Sequence, residues 1–276
     1  MKTVFYKSIA GSSEKANEDA FLVKDMYAIV LDGATALNGN GNIVEWYTKA
    51  LLHYLDFYLQ QDFSLQEVLH HSIMKVKEEF LNDFQEKLNL EDVPSSCVLL
   101  VREQENDIEM LNLGDASILY QTKDGNIHLF NDEPNLENLD ISVFHKMEEI
   151  SKKKNITHLE ARQESIIKQM LIDNRKKKNQ PNGYYIADIY PEAAFHAATL
   201  KIKKEEIDFI LLASDGLTEW YTIMEIGSKE QLFSLLLKDG EAVFKALKEA
   251  QNQDYLLEKT RFKVSDDMTG VLVKVG

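Results

Sequence analysis

Two hydrophobic rhythms run along this chain. Short runs rich in apolar residues, each of strand length, cover residues 21–23, 27–31, 97–101, 108–113, 117–121, 126–130, 209–213 and 270–275. Elsewhere apolar positions recur every three or four residues, as on one face of a helix. One such stretch follows the polar loop 38–42 and runs from Ile43 through Trp46, Tyr47, Leu51 and Leu55 to Tyr58. A second opens at Ser64 with Glu67 three residues on, a capping box, and carries a buried stripe from Leu65 through Phe80 and Phe84 to Leu88. The loop 60–63 between them is short, so the two helices are expected to lie antiparallel on a sheet. Lys123-Asp124-Gly125-Asn126 is a hairpin turn between two strands. Hairpin-linked strands are antiparallel, which excludes a Rossmann-type parallel sheet.

The region 131–198 differs in character, being rich in Lys, Glu and Asn. Thr157 and Glu160 form another capping box, opening a helix with Leu159, Ile166, Ile167, Met170 and Leu171 on one side. That helix is expected to end in Arg175-Lys176-Lys177-Lys178 before a turn at Pro181-Asn182-Gly183. The basic run reads as a solvated helix end favoured by the macrodipole, or as a docking patch for an acidic or phosphorylated partner. The last third returns to core elements. It holds the strand 209–213, a helix capped by Ser228 with Gln231, a helix after Asp239-Gly240, and a final strand. With 276 residues, only four prolines and no Gly/Ser-rich linker, one domain is expected.

Charge narrows the partners. A net charge of -15 argues against nucleic acid or an anionic membrane, both of which need a basic footprint. The single cysteine, Cys97, sits in an apolar run and reads as a buried structural thiol, compatible with a reducing cytoplasm. No cationic-then-apolar leader opens the sequence, and no apolar run is long enough to span a bilayer, so a cytoplasmic protein is expected.

The candidate chemistry lies in four acidic strings beside predicted strands. Tyr27-Ala28-Ile29-Val30-Leu31 runs into Asp32-Gly33, and Phe209-Ile210-Leu211-Leu212-Ala213 runs into Ser214-Asp215-Gly216. In both, glycine is expected to let the backbone turn sharply after the strand. Asn17-Glu18-Asp19 precedes the first, and Asp266-Asp267-Met268-Thr269 precedes the last strand. Carboxylates gathered at strand ends repel one another and lose hydration. Hard divalent cations such as Mg²⁺ or Mn²⁺, which take oxygen ligands, would neutralise them. Two such ions sharing a carboxylate can hold a hydroxide for in-line attack on a phosphate. Each Asp-Gly alone is an ordinary turn signal; the joint occurrence carries the information.

These strings resemble the motifs of the metal-dependent type 2C Ser/Thr protein phosphatases. Asn17-Glu18-Asp19-Ala20 is similar to the first acidic motif, Ile29-Val30-Leu31-Asp32-Gly33 to the metal-bridging aspartate motif, and Leu113-Gly114-Asp115-Ala116-Ser117 to the central Gly-Asp-Ser segment. Leu211 to Leu217 resembles a further motif, and Asp266-Asp267-Met268-Thr269 the closing Asp-Asn-x-Thr string. The matches come in family order over nearly the whole chain. The resemblance implies an α+β fold, a four-layer αββα sandwich of two antiparallel sheets flanked by helix pairs. It implies that Asp32 bridges two Mn²⁺ or Mg²⁺ ions and the attacking hydroxide, and that the Gly33 carbonyl binds one ion. Asp215 and Asp266 would complete one site; Glu18 would serve the other, with Asp19 beside it. Asp115 and Asp215 would hold a third, weaker ion, as in bacterial members. Asp267, where the family often has Asn, is expected in a supporting or turn role. The region 131–198 stands where the family has its variable flap.

Two departures stand out. The arginine that usually precedes the first acidic motif and grips the substrate phosphate is missing. Ser13-Glu14-Lys15-Ala16 offers only Lys15, which supplies charge without a bidentate fork, and Arg162 or Arg175 of the insert is a further candidate. The bridging motif is followed by Ala34-Thr35-Ala36, so no general-acid histidine stands there. The reading reached is a phosphatase acting on phosphoserine or phosphothreonine in proteins. A two-metal hydrolase of small phosphoesters, and a pseudo-phosphatase that binds a partner without turnover, are the alternatives.

Overall fold

The computed structural model of the chain describes residues 1–34, 41–84, 92–131, 134–259 and 261–276. Two five-stranded sheets organise it. One runs β1 (Lys2–Ile9), β10 (Met268–Lys274), β9 (Ile207–Ala213), β6 (Ser117–Thr122) and β7 (Ile127–Phe130). The other runs β2 (Ala20–Val23), β3 (Tyr27–Ala34), β4 (Ser95–Glu103), β5 (Asp107–Leu113) and β8 (Ala198–Lys203). Every pairing is antiparallel, and the hairpin at 123–126 links β6 to β7 as expected.

The layers follow from strand alternation. Successive residues of a strand point to opposite faces, so a run that is apolar at every position must be covered on both. In β3, Ile29 and Leu31 face α1 (Gly41–Tyr58) and α2 (Leu65–Asp83), meeting Tyr47, Leu51, Val68 and Leu69. Ala28 and Val30 face the other way, into a core shared with Ile118, Leu212 and Val271 of the second sheet. That sheet turns Leu119, Leu211 and Leu272 outward onto α6 (Asp215–Thr222) and α7 (Lys229–Gln253). The result is the αββα sandwich. Ser64 caps α2 through a complete capping box with Glu67, and the stripe from Leu65 to Phe80 is buried. Leu88, the expected end of that stripe, and the start of the loop before α1 lie outside the described residues.

Several expectations need correction. The helix expected from Thr157 is two: α4 (His158–Ala161) and α5 (Ser165–Arg175), preceded by α3 (Pro134–Lys154). The Thr157–Glu160 capping box is present, but Glu164 is extended (φ -61, ψ 140) and restarts the helix. The break lets Ala161 and Ile167 both enter a small core with Val143, Met147 and Ile150, while Ile166 stays exposed. The basic run is not uniformly solvated. Lys176 and Lys177 are exposed, but Lys178 is buried. Its Nζ donates to the Val93 carbonyl at 2.9 Å and pairs with Asp188 at 3.6 Å. The two expected C-terminal helices are both present within α7, separated by the non-helical Asp239 (φ -157, ψ 80), whose Oδ1 accepts from the Ala242 N–H at 3.1 Å. Strands β1 and β8 were not anticipated.

Candidate metal centre

Asp32 lies near the end of β3, opposite Cys97 of β4. Strand β9 ends at Ala213, Ser214 is the N-cap residue of α6, and Asp215 is its first residue. The two motifs meet here: the Asp215 N–H donates to Asp32 Oδ2 at 2.9 Å. The glycines of both motifs are set by close approach rather than by a turn. Strand β3 continues through Gly33, where any Cβ would collide with the Glu18 carbonyl. At Gly216 a Cβ would strike the Asp267 carbonyl. Each Asp-Gly pair therefore marks a place where the backbone of another acidic motif passes.

The closing motif fastens the opening one. Asp267 Oδ1 accepts from the Gly11 N–H and its Oδ2 from the Glu18 N–H, both at 2.7 Å. Asp267 is thus a staple, in keeping with its expected supporting role. Asp266 Oδ1 accepts from the Lys263 ammonium at 2.7 Å and from the Asp267 N–H at 2.9 Å. Strand ends are tied by Ser214, whose hydroxyl accepts the Thr269 N–H at 2.8 Å and whose N–H donates to the Thr269 carbonyl at 3.0 Å. Lys248 donates to Ser265 Oγ at 2.6 Å and also reaches the Gly11 carbonyl. Lys248 and Lys263 were missed in the sequence, where isolated lysines in a polar stretch carry no signal.

The electrostatics are those of crowded anions. Burial first, then the fields of Asp215, Asp19 and Asp115, raises the Asp32 pKa well above the usual carboxylate range. Desolvation by surrounding protein, then Asp266 and Asp115, does the same to Asp215, although that residue keeps access to solvent. Asp19 is pushed up to about 7, chiefly by burial, and its Oδ2 is buried with no hydrogen-bond partner among the described residues. Among the described residues no three carboxylate, imidazole or thiol groups converge into a ready-made cage. The carboxylates instead engage amide N–H groups and Lys263. A Mg²⁺-type ion needs only one or two carboxylates and keeps several waters. The donor set is all hard oxygen, with one orphaned carboxylate oxygen, so the residues fit divalent cations.

Asp115 follows Gly114 (φ 102), and it accepts from the Cys97 thiol at 2.9 Å. Cys97 is free and buried, as expected; burial and then Asp115 hold its pKa well above normal. Asp115 lies close enough to Asp32 and Asp215 to raise both. Asp140 of the insert also feels Asp115, though burial is the larger cause of its rise to about 7.

A cavity of about 650 Å³ adjoins the acidic cluster and is lined by Lys15, Glu18, Arg162, Lys263, Asp266 and Asp267, among others. The structure thus brings Lys15 and Arg162 to one place. Arg175 instead acts on Asp140 and Tyr184. No histidine lines the cavity among the described residues. Thr35 and Ala36, after the bridging motif, lie outside the described residues. A second cleft of about 470 Å³, lined by Arg102, Asp107 and Lys201, contains none of the acidic motifs.

Residues 11–259 match the family model described as "Protein phosphatase 2C". A search of curated proteins finds no significant match. Solved structures with the same fold include the serine/threonine phosphatase Stp1 from Staphylococcus aureus, with 15% identity and a TM-score of 0.58 over 99% of this chain and 94% of that one. The phosphatase MsPP from Mycobacterium smegmatis, in complex with cacodylate, matches with 16% identity and a TM-score of 0.54 over 100% of both chains. The Mycobacterium tuberculosis phosphatase PstP/Ppp matches with 14% identity and a TM-score of 0.56 over 98% of this chain and 97% of that one.

Proposed function

The chain belongs to the protein phosphatase 2C family, and we propose that it hydrolyses phosphoserine and phosphothreonine in proteins with the help of two Mn²⁺ or Mg²⁺ ions. One observation supports this reading: the acidic motifs are tied to one another, Asp32 by the Asp215 N–H and Asp267 by the Glu18 N–H, and Glu18 and Asp266 line a cavity that also carries Lys15 and Arg162. Divalent ions bound there would lower the pKa of water and neutralise charge on the phosphoryl oxygens. PstP, one of the proteins sharing the fold, has been seen in complex with two manganese ions.

The roles assigned to individual residues are part of the proposal. Asp32 would be the carboxylate shared by two ions, and the Asp215 N–H, which donates to its Oδ2, orients that side chain. Asp215 and Asp266 would hold one ion, Glu18 and the Gly33 carbonyl the other, with Asp19 beside them. Asp115 and Asp215 are the residues for a third, weaker ion. Lys15 supplies charge to the substrate phosphate. The chain is read as one catalytic domain, with 131–198 as a flap at the rim of the site. That placement is supported by Phe262, which packs on the insert's small core and stacks on Phe144 at 4.3 Å, one residue ahead of Lys263. No helix among the described residues is long and apolar enough to cross a membrane; a cytoplasmic phosphoprotein substrate completes the reading. The test is a Mn²⁺-supplemented panel of phosphopeptides and small phosphoesters. Preference for phosphoserine or phosphothreonine peptides is expected; turnover of small phosphoesters alone would favour the small-molecule hydrolase. No turnover with retained peptide binding would mark a binding module.

A further inference from the structure

We propose that Arg162, carried by the insert, is the forked arm of the phosphate grip and acts opposite Lys15 in the cavity beside Glu18 and Asp266. This assignment rests on the phosphatase reading and deepens it, since it makes the insert part of the substrate site.

Position comes first. Arg162 lines the same cavity as Lys15, Glu18, Lys263 and Asp266. Two other cations of that cavity are already engaged: Lys263 by Asp266, and Lys248 by Ser265 and the Gly11 carbonyl. The Arg162 guanidinium differs. Its Nε is buried and has no hydrogen-bond partner among the described residues. Burial lowers its pKa, with no carboxylate offsetting the loss. The Nε is sealed inside the protein, so a phosphoryl group in the cavity would be taken by the two terminal N–H₂ groups, whose fork matches two of its oxygens. Lys15 cannot make that paired contact.

Carriage comes second. Arg162 is the C-cap residue of α4, directly after Ala161, which is fully buried in the insert's small core. The start of α4 is fixed by the Thr157–Glu160 capping box and by the contact of His158 Nδ1 with the Leu257 carbonyl at 2.8 Å. Phe262 packs against the same core. Arg162 and the Asp266 loop are therefore held in register by packing, which a substrate-binding side chain requires.

The test uses the full chain loaded with Mg²⁺. Inorganic phosphate is titrated calorimetrically, and kcat and KM are measured for an aryl phosphate, with wild type, Arg162→Gln and Arg162→Lys. Arg162→Gln should weaken phosphate binding and raise KM by about tenfold or more, with kcat changed much less, because a charge-assisted bidentate contact is lost. Arg162→Lys should recover part of both. Arg162 acting only as a wall of the insert would move the melting temperature and leave phosphate affinity and KM alone; that result overturns the assignment. So does a wild type that binds no phosphate. A wild type that binds phosphate through Arg162 but hydrolyses nothing would sink the phosphatase reading and leave this assignment standing.

Discussion

The backbone N–H of Asp215 donates to Oδ2 of Asp32 at 2.9 Å, joining two residues 183 positions apart. Strand β3 delivers the acceptor and the first turn of α6 delivers the donor. The N–H groups at a helix start favour an anion, yet this single bond is outweighed at Asp32 by burial and by three neighbouring carboxylates. The site is thus organised for negative charge but not neutralised by the protein alone.

The staple formed by Asp267 should matter to stability. Replacing it with alanine removes two 2.7 Å bonds to the Gly11 and Glu18 amides. With metal present, so that relief of carboxylate repulsion does not mask the loss, Asp267→Ala should cost about 2 kcal/mol or more. Asp267→Asn, which keeps one acceptor, should cost less. Urea denaturation of both variants checks the order; an unchanged midpoint for Asp267→Ala would remove the staple.

Stability of the metal-free protein should fall as pH rises. Asp19 has a folded pKa of about 7 against an ordinary 3.8, and Asp32 and Asp215 are shifted the same way. The folded state then holds more protons than the unfolded one between those values. The contribution is fully present below about 4 and is lost as pH climbs through about 7. Saturating Mn²⁺ should reverse the slope, because metal binding requires the deprotonated carboxylates. Thermal melts from pH 5 to 8, in chelator and in Mn²⁺, should show opposite trends; parallel trends would place no metal at these residues.

Within the basic run 175–178, charge reversal should divide sharply. Lys178→Glu sets a carboxylate beside Asp188 and the Val93 carbonyl, and breaking such a buried pair costs about 3–5 kcal/mol. Lys176→Glu and Lys177→Glu change exposed side chains and should stay within about 0.5 kcal/mol. Equal effects at all three positions would contradict the buried anchor.

The sandwich was largely legible because its central strands are covered on both faces. That made 27–31, 97–101 and 209–213 continuous apolar runs. Strand β1 was not legible: it is a sheet edge paired only with β10, and Lys2, Thr3 and Val4 are exposed. Strand β8 is also an edge and follows a polar insert. The split between α4 and α5 left no mark, since Arg162, Gln163 and Glu164 are all good helix formers. The acidic strings were visible one by one, and their order carried the family resemblance. What sequence could not supply was the contact between them. The Asp267 bonds span 256 and 249 positions, and the placing of Arg162 in the same cavity as Lys15 goes with an insert core against which Phe262 packs.

In the proposed reading, Asp32 and its neighbours bind divalent cations on which turnover depends. The most direct test measures Mn²⁺ binding and aryl phosphate hydrolysis for wild type and Asp32→Asn. Wild type is expected to bind at least two ions and to lose activity in chelator. Asp32→Asn should keep the fold, lose high-affinity Mn²⁺ binding and lose turnover by at least about a hundredfold, as removal of a bridging charge requires. Full activity of Asp32→Asn, or of wild type in chelator, would contradict the account.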